Sequence, residues 1–245
     1  MKITLDERWS IGGKPHGGYL LRETVRPALD DNHPHPLATS AHFLRSPDPG
    51  PATVEVETLR SGKRVSQHRA RLVQDGQTCV EVLLTSGTLD AAAEPFWTGS
   101  TAPILPCVED CSRTPAEPLP GFRIGHLEFV DVRPDPATNR FSGITPPPGR
   151  VAAWLQMDPS PTTALDLLVL ADALQPVPMV MGVPGWFPTV ELTVLVRALP
   201  APGFLRGEQT SALLQDGWFD EDCTVWDSRG RVVCQARQLA GYRLG

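Results

Sequence analysis

Asp172 is an acid set in a run where almost nothing else is polar. From Ala164 to Leu174 the chain reads Ala-Leu-Asp-Leu-Leu-Val-Leu-Ala-Asp-Ala-Leu, a pattern that predicts a helix buried on most of its sides. Leu165, Leu168 and Val169 precede Asp172 at helical spacing and share its stripe. A carboxylate there is costly unless it is partnered or neutral. It caps the helix end, pairs with an Arg, or is held for chemistry. Gln238 shares strand parity with Val232, Cys234 and Ala236, the face that should meet that helix. An amide so placed needs two or more partners; the alternative is a surface Gln in a frayed terminal strand. Thr189 follows Pro188 at a strand start, where hydroxyls are common for ordinary reasons, and Glu191 is its parity mate and an alternative acid. None of these is an activated nucleophile of the Ser–His kind. An acid, a hydroxyl and an amide that converge where helix end meets sheet have one consistent chemistry, a held water with the acid as base.

The elements that must position them come in two similar sets. Gly17-Gly18 opens a first helix, to about Leu29, with Leu21 and Val25 at i, i+4 and Pro27 limiting its last turn. Strands follow at Leu37–Arg45, Ala52–Leu59, Val65–Gln74 and Thr78–Thr85, separated by Ser61-Gly62-Lys63 and Gln74-Asp75-Gly76 turns. Val54, Val56 and Thr58 alternate with Glu55, Glu57 and Leu59, the period of a sheet with one covered face. Six prolines between Thr88 and Phe122 (95, 103, 106, 115, 118, 120) mark an irregular crossing segment. Strands are expected again at Ile124–Val132 and Arg150–Met157, around a proline-rich break at Pro134–Pro148. The second helix is expected between an N-cap at Ser160 and Pro176, followed by strands at Pro188–Ala198, Arg206–Gln215, Phe219–Trp226 and Val232–Tyr242. Asp227-Ser228-Arg229-Gly230 before Val232-Val233-Cys234 restates Gln74-Asp75-Gly76 before Thr78-Cys79-Val80, and 230 − 76 = 154 residues separate the two turn glycines. The reading is an α+β chain of two tandem units, residues 1–122 and 123–245, each a long buried helix wrapped by antiparallel sheet. This is a double hotdog whose two sheets pair edge to edge and so bury two edges.

At 245 residues with 41% hydrophobic and 20% charged content the chain can bury a large core. A net charge of −6 argues against a nucleic-acid surface. No apolar run approaches the ~20 residues of a membrane span, and the start Met1-Lys2-Ile3-Thr4-Leu5-Asp6-Glu7 has no export core. Five cysteines (79, 107, 111, 223, 234) read as reduced thiols of a cytoplasmic protein. Cys107 and Cys111 lack a nearby histidine, and His33-Pro34-His35-Pro36 reads as a loop, so no metal and no cofactor are expected.

Several stretches carry a more specific likeness. Gly17-Gly18, His42-Phe43-Leu44-Arg45, Val56-Glu57-Thr58-Leu59-Arg60-Ser61-Gly62-Lys63, Gln74-Asp75-Gly76, Pro188-Thr189-Val190-Glu191 and Gln235-Ala236-Arg237-Gln238 together resemble the double-hotdog acyl-CoA thioesterases of the bacterial thioesterase II type. The resemblance implies hydrolysis of fatty acyl-CoA to free acid and CoA, with Asp172, Thr189 and Gln238 as catalytic residues around the attacking water. A backbone amide near Gly17-Gly18 is the expected oxyanion donor, and Gly17, Gly18 and Arg60 the expected substrate contacts. Arg45, Lys63, Arg64 and Arg197 are further candidates for the CoA phosphates. The stretch between Asp172 and Thr189 is shorter than is usual in that family. The first half carries Leu84 at the counterpart of Gln238 and Arg22-Glu23-Thr24 where Asp172 would lie, so one site per chain is expected. A hotdog hydratase would need an acid–His pair that the motif positions do not supply. The alternative from another class is a hotdog protein that binds acyl thioesters, or serves as an assembly subunit, without turnover. In either case remaining edges and sheet faces predict a homo-oligomer.

Overall fold

The computed structural model describes residues 1–139 and 148–242. In the first half lie β1 (Lys2–Leu5), a small hairpin of β2 (Ser10–Ile11) and β3 (Lys14–Pro15), and helix α1 (Gly17–Val25). After α1 come β4 (His35–Phe43), β5 (Gly50–Ser61), β6 (Val65–Gln74) and β7 (Gln77–Gly87). The second half holds β8 (Val130–Pro134), β9 (Arg150–Met157), the single-turn helices α2 (Leu167–Leu170) and α3 (Val177–Val180), and then β10 (Thr189–Val196). It closes with β11 (Leu205–Thr210), β12 (Leu214–Gln215), β13 (Trp218–Trp226) and β14 (Val232–Gly241).

One antiparallel sheet runs through both halves in the order β1-β5-β6-β7-β4-β10-β14-β13-β11-β9-β8, with β12 added to β13. The join is β4 against β10, where Ser40 faces Thr193 and Thr39 faces Val194. The expected edge-to-edge pairing is therefore the centre of the molecule. A shift of 154 residues carries β4's first residue, His35, onto β10's first, Thr189, and β7's last, Gly87, onto β14's last, Gly241. The two turn glycines, Gly76 and Gly230, both take the positive φ that the repeated turns require, 72° and 79°.

Helix α1 forms where expected. The His16 ring caps it, Nδ1 accepting from the Tyr19 N–H at 3.3 Å. Leu20, Leu21 and Val25 are buried on its core side, and a 3₁₀ turn through Pro27 ends it. Its partner differs from expectation. Residues from Ser160 do not start a helix. The side chains of Thr163 and Asp166 instead form a capping box: Thr163 N–H donates to Asp166 Oδ2 at 3.0 Å, and Asp166 N–H to Thr163 Oγ1 at 3.3 Å. Only one turn of α-helix follows, and Asp172 stands in the turn after it. Apolar residues all round signal burial but carry no information on length. α2 is buried on every side at Leu167, Leu168, Val169 and Leu170, packed against α1 and under the sheet. Each such leucine contributes roughly 2 kcal/mol of transfer free energy.

Three smaller departures matter. Within the expected strand Ile124–Val132, Gly125–Glu128 is a 3₁₀ turn and pairing begins only at Val130. The cause is close approach: a Cβ on Gly125 would lie 2.1 Å from the carbonyl oxygen of Arg8. The alternation of β5 reaches the core only through Ala52 and Val54; from Glu55 to Ser61 the strand is exposed, Val56 included. Of the expected break at Pro134–Pro148, residues 140–147 lie outside the described residues. The crossing segment already packs on the second half before residue 122, through Thr114 N–H to Val132 O and Ile124 N–H to Ala116 O.

Candidate active site

Asp172 leaves the end of α2 with its carboxylate pointed at the start of α1. Oδ2 accepts the Gly18 N–H at 2.7 Å, and His16 Nε2 lies 2.8 Å from the Asp172 carbonyl oxygen and 3.4 Å from Oδ2. Because Nδ1 of His16 accepts from Tyr19 N–H, Nε2 is the protonated nitrogen and donates to Asp172. The close fit depends on two glycines. A Cβ on Gly17 would stand 2.8 Å from Asp172 Oδ2, and one on Gly18 would stand 2.9 Å from Leu168 O. Burial pushes the Asp172 carboxyl above the ordinary range, opposed by His16 and by the Gly18 N–H. Asp172 does not pair with the arginine of α1, because Arg22 pairs with Asp166 at 3.3 Å and Glu23 at 2.9 Å. Its carboxylate instead caps the start of α1 through Gly18.

Across a cavity of about 510 Å³ stand the other two residues. The Thr189 hydroxyl donates to Gln238 Oε1 at 2.7 Å, and the Gln238 amide nitrogen donates to Glu221 Oε2. Glu221 Oε1 accepts the Val177 N–H at 2.6 Å, at the start of α3. Gln238 and Glu221 face each other directly in the register of β14 and β13, and Thr189 starts β10 beside Ala240 of β14. Burial raises the Glu221 carboxyl to about 8; Asp172 adds to the rise, and Val177, Gln238 and Gln209 oppose it. His126 completes the wall. Its ring lies against that of His16, centroids 4.3 Å apart and tilted by 31°, and its Nε2 is 3.3 Å from the Ala173 carbonyl oxygen. Burial, and then His16, holds it well below the usual imidazole range.

Asp172, Thr189, Gln238 and Gly17 all line this cavity, whereas Gly18 acts behind the wall through its N–H. That N–H is engaged by Asp172, whereas Gly17, one residue earlier, is part of the lining. Arg60 is not brought to the site. It lies on the exposed end of β5 opposite Gln67, beyond the part of the strand that reaches the core. Arg45 and Lys14 do border the cavity. Glu191 takes the Thr193 hydroxyl at 2.7 Å and is not in the wall. Most of the rest of the lining is apolar and aromatic, including Phe43, Ile124, Met179, Trp186 and Phe219, with Ser46, Thr114 and Gln175 among it; such a surface suits an alkyl chain. Counterparts across the repeat also differ from expectation. The residue 154 positions before Asp172 is Gly18, its own hydrogen-bond partner, not the Arg22–Thr24 segment.

Comparison with known proteins decides the family. Residues 5–87 match the acyl-CoA thioesterase N-terminal domain and residues 108–242 the acyl-CoA thioesterase C-terminal domain. The chain belongs to the acyl-CoA thioesterase family. It is a thioester hydrolase of double-hotdog fold. Its likeness to a crystal structure from Thermobifida fusca, proposed to be a thioesterase II, is 34% identity over 99% of this chain and 92% of that one, with a TM-score of 0.90. An uncharacterized protein of Mycobacterium tuberculosis is 35% identical over 96% of this chain and 88% of its own length. An acyl-CoA thioesterase II of Mycobacterium marinum shares the fold at 18% identity, a TM-score of 0.75, and coverage of 100% and 93%. Among the described residues, no helix of the thioesterase is long and apolar enough to cross a membrane.

His16 and Glu221 were not singled out from the sequence. Glu221 carried a usable signal: it has the strand parity of Phe219, Cys223 and Val225, all buried, the same argument that marks Gln238. His16 carried less, since a histidine before Gly-Gly is an uncommon helix cap.

Proposed function

We propose that the enzyme hydrolyses fatty acyl-CoA to free fatty acid and CoA by direct attack of a water. The observation that carries this reading is the shared cavity wall: a buried carboxylate on one side, and a hydroxyl tied to an amide on the other. The Thr189 proton is committed to Gln238, so Thr189 Oγ1 is free to accept a proton of the water while Asp172 accepts the other. A water donating both protons presents its lone pair to the thioester carbon. Asp172 removes the proton as the C–O bond forms, and the C–S bond then breaks with CoA leaving as the thiolate. The raised carboxyl of Asp172 brings the base nearer to neutral pH, where general-base catalysis is more effective. The Gly17 N–H at the start of α1 is the proposed donor to the developing oxyanion. The apolar lining takes the acyl chain, and Arg45 and Lys14 at the cavity border take the CoA phosphates in place of Arg60. Exposed Leu83, Leu195 and Leu239 on the outer sheet face support the expected self-association.

The test is thiol release from acyl-CoAs of short to long chain by the wild type and Asp172→Asn. Loss of the base lowers turnover by a factor of ~100 or more. Equal turnover in the two proteins removes Asp172 from the mechanism, and no release at any chain length favours a binding protein.

A further inference from the structure

We propose that Glu221 is a positioning residue that sets the hydrogen-bond direction of the Thr189–Gln238 pair, and that hydrolysis uses only its carboxylate form. This rests on the water site described above and adds to it a group that touches neither water nor substrate.

Donors and acceptors fix the direction of the pair. Both Glu221 oxygens face donors, Oε1 the Val177 N–H and Oε2 the Gln238 amide nitrogen. A carboxylate only accepts, so it holds Gln238 with its nitrogen toward β13 and its oxygen toward Thr189. Thr189 must then donate to Gln238, and its oxygen is left to accept from the water. When Glu221 is neutral, its proton on Oε2 would meet the amide N–H. The amide turns over: Oε1 accepts from Glu221, and the nitrogen donates to Thr189. The Thr189 proton then points at the water oxygen and ties up the lone pair that attacks. The same three side chains therefore exist in two directions, productive and unproductive, chosen by one proton.

The surroundings fix where the change falls. Glu221 is 2% exposed, and burial is what favours its neutral form, with Asp172 adding to it from the turn after α2. Against these stand the Val177 N–H from α3, Gln238 from β14 and Gln209 from β11. Cys223, two residues along β13, is the other titratable neighbour; burial first, and the thiol of Cys234 next, push it well above its ordinary value, so it stays neutral here. The direction change falls near pH 8.

The experiment is kcat and KM of the full chain for dodecanoyl-CoA from pH 6 to 9.5, with wild type, Glu221→Gln and Asp172→Asn. Glu221→Gln has the same shape, but one oxygen serves Val177 and the remaining NH₂ forces Gln238 to turn over. Wild-type kcat is expected to rise through about pH 8. Glu221→Gln is expected to lose that limb and to fall ~10- to 100-fold in kcat at pH 9, the cost of misaligned reacting groups. KM should change by less than about 3-fold, since binding is not what was altered. A wild-type kcat flat from pH 7 to 9 overturns the proposal without any variant. So does a Glu221→Gln enzyme that keeps the limb, whether at full or reduced kcat, because a purely structural acid would leave the pH dependence in place. Undiminished activity of Asp172→Asn overturns the water site itself, a failure seen in a different protein.

Discussion

Replacing Gly18 by Ala sets two known effects against each other, and the structure decides the sign. Gly18 lies inside α1, and its φ is not one of the positive values found elsewhere in the chain. On helix propensity alone Ala gains about 1 kcal/mol there. The added Cβ, however, would stand 2.9 Å from Leu168 O, 3.0 Å from Val169 Cα and 3.1 Å from Asp172 Cβ. Two of those three atoms are backbone of α2, which is buried on every side and has nowhere to retreat. Overpacking of this kind costs about 1–3 kcal/mol. Parting the helices also stretches the 2.7 Å bond from Gly18 N–H to Asp172, and a bond to a charged group is worth about 1.5–3 kcal/mol. The balance is a net destabilisation of about 2 kcal/mol, or roughly 4–8 °C in Tm for a chain of this size. Urea denaturation should show a lower midpoint at unchanged slope. Turnover should fall with it, because the displaced atom belongs to Asp172, the proposed base. A Gly18→Ala protein with a raised midpoint and full activity would refute the claim that α1 and α2 meet at van der Waals limit here.

Thr189→Val keeps shape but leaves Gln238 Oε1 without its donor; kcat should drop ~10- to 100-fold while Tm moves by only a few degrees, and an unchanged kcat would exclude the hydroxyl from the water site. Stability should also fall as pH rises. Glu221 holds its proton to about 8 when folded against 4.5 as a free group, so between those values the folded chain binds more protons and loses stability with increasing pH. At about 1.4 kcal/mol per pH unit the ceiling is roughly 5 kcal/mol, and the raised Asp172 acts in the same direction. Unfolding free energies at pH 5 and pH 8.5 for wild type and Glu221→Gln isolate the Glu221 part as their difference. A difference that does not change with pH would mean Glu221 titrates normally.

Strand content was legible because its signals are local. Val65–Gln74 and Arg150–Met157 form strands with the bounds their sequence suggests, and the repeated Asp-to-Gly turns gave the duplication. Helix length was not legible, since an apolar run sets burial while caps set the ends; the Thr163–Asp166 box, its cap three residues past the expected one at Ser160, was the missing signal. Of the site, Asp172, Thr189 and Gln238 were singled out by the family resemblance. A polar group in an apolar setting supports Asp172 and Gln238 independently, whereas a strand-start hydroxyl such as Thr189 is ordinary by itself. The structure places all three on one cavity. Arg60 was misplaced for the complementary reason: a residue near a recognisable motif says nothing about how far its strand runs past the core. The link from Gln238 to Glu221 needs strand register, which pairs residues 17 apart across a hairpin and is invisible until the turn is fixed.

The position of Asp172 gives a physical reason for the proposed single site in a duplicated chain. In a molecule built from two similar halves, residues that match across the repeat can touch only near the axis relating them. At the sheet join that axis passes between Thr39–Ser40 and Thr193–Val194, which are themselves separated by the repeat of 154 residues within one position. Gly18 and Asp172 are separated by the same 154 residues and are hydrogen-bonded, so Asp172, the proposed base, lies close to the axis as well. Perfect symmetry would fail there in both of its forms. Two aspartates would bring two carboxylates into contact in a buried place, and one would have to stay neutral. Two glycines would fit but would leave no base. The workable arrangement is unequal: one half gives a small residue and the exposed N–H groups of a helix start, the other gives the carboxylate those groups hold. Once that division is made, Thr189, Gln238 and Glu221 are useful only on the half that carries the acid, and their counterparts His35, Leu84 and Gln67 are released to other work.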